Sequence, residues 1–550
     1  MIKKSIKIES DFLHFPIQSG CAKNELQIYT GGVMLYQFSM ELAKPSCINN
    51  HKHHYFFLNV SAFIGTLMEL VVHSPTEDAG GLLDGVFNGS APESLEEYKN
   101  LYNESLRPQF HFTSKRGWLN DPNGLFYHDG VYHMYYQHNP FGTLHGSVNI
   151  SWGHAVSKDL IHWDEHKDAI LPWRRDWMIA SGSAVVDKKN SAGYGENAVI
   201  AAFTALGTID EAGKPARSGG QFMAASVDGG ENFFRFSQLP SICVPNGEGW
   251  RDPRLFEVDD CYYIAVYETR KNQIGKTDEE VDGVSFYKSS NLKDWVFMSW
   301  TANLYECPDI FKLGDRWVLF GADGIARLGD FADGFFEDSG IHLPLDYGTA
   351  TYAGQTWSHA PDEKRLHISW IRGMGDDKNW ENDMGYNEMP FSQCMSFPCE
   401  ITLHNIDGRY HLCRAPIAEI ESLRKDFGKK SSIAVTGEHI LLLMPPKEMC
   451  LSVCSFIDRT LIIKFRDHKI ILDLEKSEIQ VDDKPTRVLM EDNPEIRILS
   501  DTTTLEIFIG NEVSATYAGD MAKEHICIQG DAVIELKEWE LHSIWHAFTK

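Results

Sequence analysis

A chain of 550 residues is too long for one ordinary domain, and about two to four are expected. Its 43% hydrophobic and 12% aromatic content supplies large cores and excludes a disordered polymer. With 51 basic against 78 acidic residues, the net charge of −27 argues against nucleic acid or an anionic membrane as partner, and neutral polar substrates remain compatible.

The first residues, Met1-Ile-Lys-Lys-Ser-Ile-Lys-Ile, are basic but lack an apolar h-region, so no secretory signal is visible. No apolar run reaches transmembrane length. The eleven cysteines are odd in number and scattered, so a reducing cytoplasm is the expected compartment. Cys450 and Cys454 lie four apart in a strand-like run, which places both on one face and predicts core packing.

Residues 1–88 alternate in polarity over Phe12–Ile17, Leu26–Tyr29, Val33–Glu41, Tyr55–Val60 and Thr66–His73, which predicts a small accessory β-domain built as a sandwich. His51, His53 and His54 lie in a polar stretch with no carboxylate or cysteine to complete a ligand set, so a solvated loop is expected there. A helical linker follows over 89–106. Ser90 and Glu93 form a capping box, and Leu95, Tyr98, Leu101 and Tyr102 share a face.

Between 107 and 414 five apolar runs recur about every 50–70 residues, longer than the usual repeat periods. They are Val131–Gln137, Val199–Ala205, Tyr262–Tyr267, Trp317–Gly321 and Leu366–Trp370. A serine with an Asx and then an aromatic recurs as Ser157-Lys-Asp-Leu-Ile-His-Trp163, Ser226-Val-Asp-Gly-Gly-Glu-Asn-Phe233 and Ser290-Asn-Leu-Lys-Asp-Trp295. Repeated groups of short strands with a recurring outer motif predict a β-propeller, and five blades fit the length. A linker helix is expected over 415–429, burying Ile417, Ile420 and Leu423. Residues 430–550 then alternate as a C-terminal β-sandwich of about seven or more strands. The fold class is all-β.

Three stretches of the propeller carry acids among residues that bend the backbone. They are Trp118-Leu-Asn-Asp-Pro-Asn-Gly124, Trp250-Arg-Asp-Pro253 and Tyr305-Glu-Cys-Pro-Asp309. Asp121 and Asp252 each precede a proline, and Gly124 can close a turn with φ > 0. Any one alone reads as a turn, an ion pair or a solvated acid.

Together they resemble the three blocks of glycoside hydrolase family 32, the invertase, levanase and inulinase family. Tyr136-Gln-His-Asn-Pro140, Trp152-Gly-His-Ala155, Ser157-Lys-Asp-Leu160, Ser181-Gly-Ser183, Tyr352-Ala353 and Asp501-Thr-Thr-Thr-Leu-Glu-Ile-Phe508 resemble its other blocks, in its order. The resemblance implies a five-bladed propeller followed by a sandwich, with the N-terminal domain as an addition. It implies Asp121 as nucleophile of a covalent fructosyl-enzyme, Glu306 as general acid and then base, and Asp252 as transition-state stabiliser. Asn120, Gln137, Ser181, Arg251 and Tyr352 would bind substrate. Core packing suffices to explain Cys307. No metal and no cofactor are called for.

Two departures bear on specificity. The run Phe141-Gly-Thr-Leu-His-Gly-Ser-Val-Asn-Ile-Ser151 has His145 in the family's tryptophan place and two extra residues, and Ala180 stands where a phenylalanine is usual. A wider or reshaped pocket is expected. The implied activity is retaining hydrolysis of terminal β-fructosyl bonds in sucrose, fructo-oligosaccharides or fructans. A fructosyltransferase on the same site, including one forming a difructose anhydride, is the alternative, ahead of a non-catalytic fructan-binding protein. A phosphorylated sugar would call for a basic patch, and Lys115 and Arg116, the nearby basic pair, read equally as an ordinary solvated loop. The N-terminal domain is read as packing on the propeller, shaping the pocket rim or mediating a dimer, so a homo-oligomer stays open.

Overall fold

The computed structural model describes the whole chain except residues 50–52, 75–79, 93–97, 99–100, 147–148, 173–176, 210–214, 244–248, 272–279, 374–385, 387, 407, 457–458, 474, 477, 488–494, 511–512 and 546–550. The expected linker helix over 89–106 falls in part outside the described residues, as does His51.

Two small sheets form the N-terminal unit. One orders its strands as Ile2–Lys7, Leu67–His73, Asn24–Thr30 and Val33–Met40, and the other as His54–Asn59, Phe12–Ile17 and Phe87–Gly89. Alternation turns Leu13, Phe15, Leu26, Ile28, Leu70 and Val72 into one shared core. Burying each such side chain contributes about 1.5–3 kcal/mol. The expected solvated histidine loop is corrected at two positions. His53 is buried against the Tyr55 ring at 5.0 Å, and a His54 ring nitrogen lies 2.6 Å from the Glu388 carbonyl.

Among the described residues, five sheets then succeed one another from Gly117 to Pro416. Each of the five apolar runs is the second strand of its sheet: Val131–Asn139, Ala198–Ile209, Cys261–Lys271, Arg316–Phe320 and Arg365–Ile371. A second strand is flanked on both edges and covered on both faces, so its sequence loses alternation and becomes uniformly apolar. The serine motif caps the turn from third to fourth strand. Ser157 Oγ meets Asp159 at 3.0 Å and Ser226 Oγ meets Asp228 at 2.7 Å. In the third sheet the capping serine is Ser289, at 3.1 Å from Asn291, and not Ser290. Phe391–Ser392 pairs in parallel with Gly117–Trp118, bringing the chain back beside the innermost strand of the first sheet. The whole forms a β-propeller followed by a β-sandwich.

The linker is a 3-10 turn, Ala418–Leu423, that buries Ile420 and Leu423. In the sandwich the long strand His525–Glu540 pairs with Lys429–Leu442 on one edge, and with Lys447–Phe456 and Thr460–Phe465 on the other. His468–Asp473, Glu478–Val481 and Lys484–Arg487 extend it beyond Thr460–Phe465, and Glu495–Ser500, Thr504–Ile509 and Val513–Ala518 beyond Lys447–Phe456. The shared-face expectation for Cys450 and Cys454 fails. A register shift between Val453 and Ser455 breaks the alternation, leaving Cys450 partly buried and Cys454 exposed.

Candidate active site

The innermost strand of four sheets carries a register shift near its start. The shifts fall between Leu119 and Pro122, Ile179 and Gly182, Arg251 and Arg254, and Tyr352 and Gln355. A bulge sets two residues against one on the partner strand and re-aims a side chain. Asp121, Ser181, Asp252 and Ala353 lie inside these bulges, and Glu306 stands just before the fourth inner strand, Asp309–Leu313. The stretch around Asp121 is thus a twice-shifted strand, Gly117–His128, and not a free turn. Gly124 sits in it at φ +55°, where a Cβ would lie 2.8 Å from the Tyr135 ring. Asp252, Glu306, Cys307 and Ala353 all adopt φ between +40° and +62°. Such a conformation costs a non-glycine residue about 1–3 kcal/mol and is held by the surrounding sheets.

These shifts bring the three acids together. The Cys307 thiol donates at 3.5 Å to Asp121 Oδ2 and, at the same distance, to Asp252 Oδ2. The Cys307 N–H donates to Asp252 Oδ2 at 3.2 Å. The Arg251 guanidinium donates to Glu306 Oε1, at 3.1 Å from Nε, and lies 3.7 Å from Asp252. The Tyr352 hydroxyl donates to Glu306 Oε2, so both oxygens of that acid are fixed. Ser181 Oγ donates to Asp121 Oδ2 at 2.6 Å and Asn120 Nδ2 to Oδ1 at 3.1 Å. Asn120 is itself oriented by the Trp118 indole N–H at 2.9 Å. Gln137 is buried and donates to the Ile179 carbonyl at 3.0 Å, two residues before Ser181.

Charge here is undercompensated. Burial, opposed by the pull of Arg251 and reinforced by the repulsion of Glu306 and Asp121, lifts the Asp252 carboxyl to about 7. Burial likewise holds Asp121 above the ordinary carboxylate range, although Ser181 and Asn120 donate to it. The cluster therefore keeps a proton near neutral pH, as a set of acids and bases for proton transfer must. Burial and the three acids push the Cys307 thiol up, so it stays protonated.

Two side chains of this cluster were not read as site residues. Cys307 is a donor between two carboxylates and not mere core. The Arg372 guanidinium lies 4.5 Å over the Tyr352 ring and within the field of Asp121 and Glu306. Arg372 has only a weak signal, a basic residue two positions past the apolar run Leu366–Trp370. Lys115 and Arg116 belong elsewhere: the Lys115 ammonium donates to the Glu165 carbonyl at 3.4 Å, and Arg116 is buried beside the Tyr98 ring.

The rim loop after Pro140 is tied to the N-terminal domain. Asn149 and Ser39 exchange two hydrogen bonds, at 3.0 and 2.6 Å. Phe141 packs 4.3 Å from the Phe38 ring and joins the N-terminal core. Thr143 Oγ1 donates to Glu41, whose carboxyl burial lifts to about 7. His145 meets Trp118 edge-on at 6.2 Å, and burial with the field of Lys23 lowers it to about 4. A neutral imidazole thus stands beside the tryptophan that orients Asn120. Ala180 is buried and accepts the Trp152 indole N–H at 3.0 Å.

A family model described as "Glycosyl hydrolases family 32 N-terminal domain" matches residues 111–416. Levanase of Bacillus subtilis (strain 168) is 30% identical over 384 residues, 64% of this chain and 52% of its own. Invertase of Wickerhamomyces anomalus is 32% identical over 363 residues, 59% of this chain and 60% of its own. The chain thus spans between half and two thirds of the length of these relatives. A solved glycoside hydrolase family 32 structure from Bifidobacterium adolescentis superposes with a TM-score of 0.65 at 18% identity, over 99% of this chain and 100% of that one, a likeness of fold.

Proposed function

Because the chain belongs to glycosyl hydrolase family 32, we propose that it is a retaining β-fructosidase acting on terminal β-fructosyl bonds of sucrose, fructo-oligosaccharides or fructans. The observation that carries this reading is the meeting of Asp121 and Asp252 at the Cys307 thiol, with Glu306 clamped beside them by Arg251 and Tyr352. In this reading an Asp121 oxygen attacks the anomeric carbon while Glu306 passes a proton to the departing oxygen. The bond to the leaving group breaks and a fructosyl ester forms on Asp121. Water then attacks that carbon, Glu306 takes its proton, and Asp121 is released.

Asp252, close to Arg251 and half-protonated near neutrality, would hold fructose hydroxyls and respond to charge building on the ring. Asn120 and Ser181 fix the nucleophile and face the same sugar. Gln137 would act through the strand that carries Ser181. Tyr352 and Arg251 keep Glu306 in place through both steps. The N-terminal domain would shape the rim by holding Phe141, Thr143 and Asn149, so specificity would depend on a unit outside the propeller.

Product analysis on sucrose, kestose, inulin and levan tests the reading. Free fructose from at least one of them, abolished by Asp121→Ala, supports it. New sugars without free fructose would move the reaction to transfer. No product from a folded protein on all four would overturn it.

A further inference from the structure

At the seam between the first and second sheets, away from the acid cluster, His154, His166 and Glu231 each present a ligand atom within 4.8 Å of the others. His154 lies on the third strand of the first sheet, Ser151–Ser157, and is fully buried. His166 follows the fourth strand, and its N–H donates to the His154 carbonyl at 2.8 Å. Glu231 stands on the turn between Pro215–Ser226 and Phe234–Arg235 of the second sheet. That turn is anchored by the Tyr135 hydroxyl on the Gly230 carbonyl at 2.9 Å, and the Tyr135 ring stacks on His154 at 4.4 Å.

The plain reading is an ion pair, His166 Nδ1 to Glu231 at 2.6 Å, over packed histidines. It leaves one atom unexplained. His154 Nε2 lies 3.2 Å from His133 Nδ1, while His154 Nδ1 has no hydrogen-bond partner. If His133 is the donor, His154 keeps a buried N–H with no acceptor. If His154 is the donor, its Nδ1 is a bare buried lone pair. Either state leaves a polar group unsatisfied, which costs about 1–3 kcal/mol. The second state is that of a metal-bound imidazole whose outer nitrogen is held by a neighbour.

We propose that His154, His166 and Glu231 bind a divalent transition-metal ion of the zinc class, with His133 orienting His154. Two imidazoles and a carboxylate suit zinc, whereas magnesium and calcium favour all-oxygen sets. Ligand atoms about 2.0–2.1 Å from a tetrahedral ion stand about 3.4 Å apart. The set must therefore close inward. His166 and Glu231 have that freedom, with side chains 33% and 35% exposed, and they exchange their mutual hydrogen bond for bonds to the ion. The fourth position opens to water on that side. Such an ion would staple one sheet to the next and take no part in the reaction.

The test is calorimetric titration of Zn²⁺ into chelator-stripped, full-length protein, with Co²⁺ absorption as a second readout. The expected result is one saturable site of micromolar or tighter affinity, a raised Tm and a tetrahedral Co²⁺ spectrum. His166→Leu and Glu231→Gln should each weaken it at least tenfold, and His133→Phe about tenfold to a hundredfold. His166 is partly exposed, so its variant should fold. No saturable binding, or binding that His166→Leu leaves unchanged, would overturn the proposal.

Discussion

In the propeller, Arg251 holds Asp252 and Glu306, and the Cys307 thiol joins Asp252 to Asp121. At the seam between propeller and sandwich, Asp501 and Glu506 gather around His111 and Arg414. Both groups are buried carboxylates with cations, yet they are built to opposite ends. Asp501 accepts the Gln109, Phe110 and His111 N–H groups at 2.7–3.1 Å and the His111 ring at 2.9 Å. Glu506 accepts the Phe397 N–H at 2.9 Å and lies 3.8 Å from Arg414. Burial alone would raise Glu506, but the His111 hydrogen bond and Arg414 hold it below the ordinary range. Burial would lower His111, and its two acids instead raise it to about 9. Asp346, on the other side of Arg414, is the exception and stays raised by burial. Paired charge holds two domains together, whereas surplus negative charge leaves a proton to move. Burial of acids does not mark a site; the two clusters differ in how far cations and N–H donors compensate it.

The contrast can be broken by substitution. Replacing His111 by Gln removes one of the two cations of the seam and should cost about 3–5 kcal/mol in urea unfolding, with kcat per folded molecule unchanged. Because folding raises the His111 pKa, its stabilisation is full below about pH 6.5 and is lost as pH rises through about 9. The gap between wild type and His111→Gln should therefore narrow from pH 6 to pH 9. A constant gap would mean the imidazole acts by packing alone.

Asp252→Asn should act in the other direction. The folded Asp252 keeps a proton up to about pH 7 that the unfolded chain gives up near its ordinary 3.8. Rising pH therefore costs stability between those values, and the full cost remains above them. The variant should gain about 1–3 kcal/mol at pH 8, gain nothing below pH 4, and lose most of its kcat/KM. A loss of stability at pH 8 that fades below about pH 4 would place Asp252 with Glu506 at the seam.

A smaller effect is expected at the rim. Asn149→Ala removes the paired bonds to Ser39 and should cost about 1–2 kcal/mol. KM should rise severalfold with little change in kcat. An unchanged KM would leave the N-terminal domain without a part in specificity.

Much of this was legible in the chain itself. Alternation located most strands of both flanking units, and the five apolar runs proved to be the second strands of five sheets. The three acidic stretches named the cluster. The bulges were not legible, because counting two residues against one requires knowing the partner strand. Asp252 shows why: a following proline predicts extended backbone, whereas the fold holds this residue at φ +62°. The role of Cys307 depends on two acids from other sheets, and the docking of Phe141 and Asn149 on residues a hundred positions earlier leaves no local pattern. Cys454 was misplaced for the same reason as the bulges, since one extra residue flips a face.

Trapping the covalent species tests the central claim most directly. Glu306→Gln leaves Asp121 able to attack but removes the group that activates water, so a substrate with a good leaving group should accumulate ester. Intact mass spectrometry should show one fructosyl residue added to Glu306→Gln and none to the double variant with Asp121→Asn, with the adduct mapped to the peptide holding Asp121. An adduct that survives loss of Asp121, or free fructose at wild-type rate from Glu306→Gln, would contradict the roles given to the two acids.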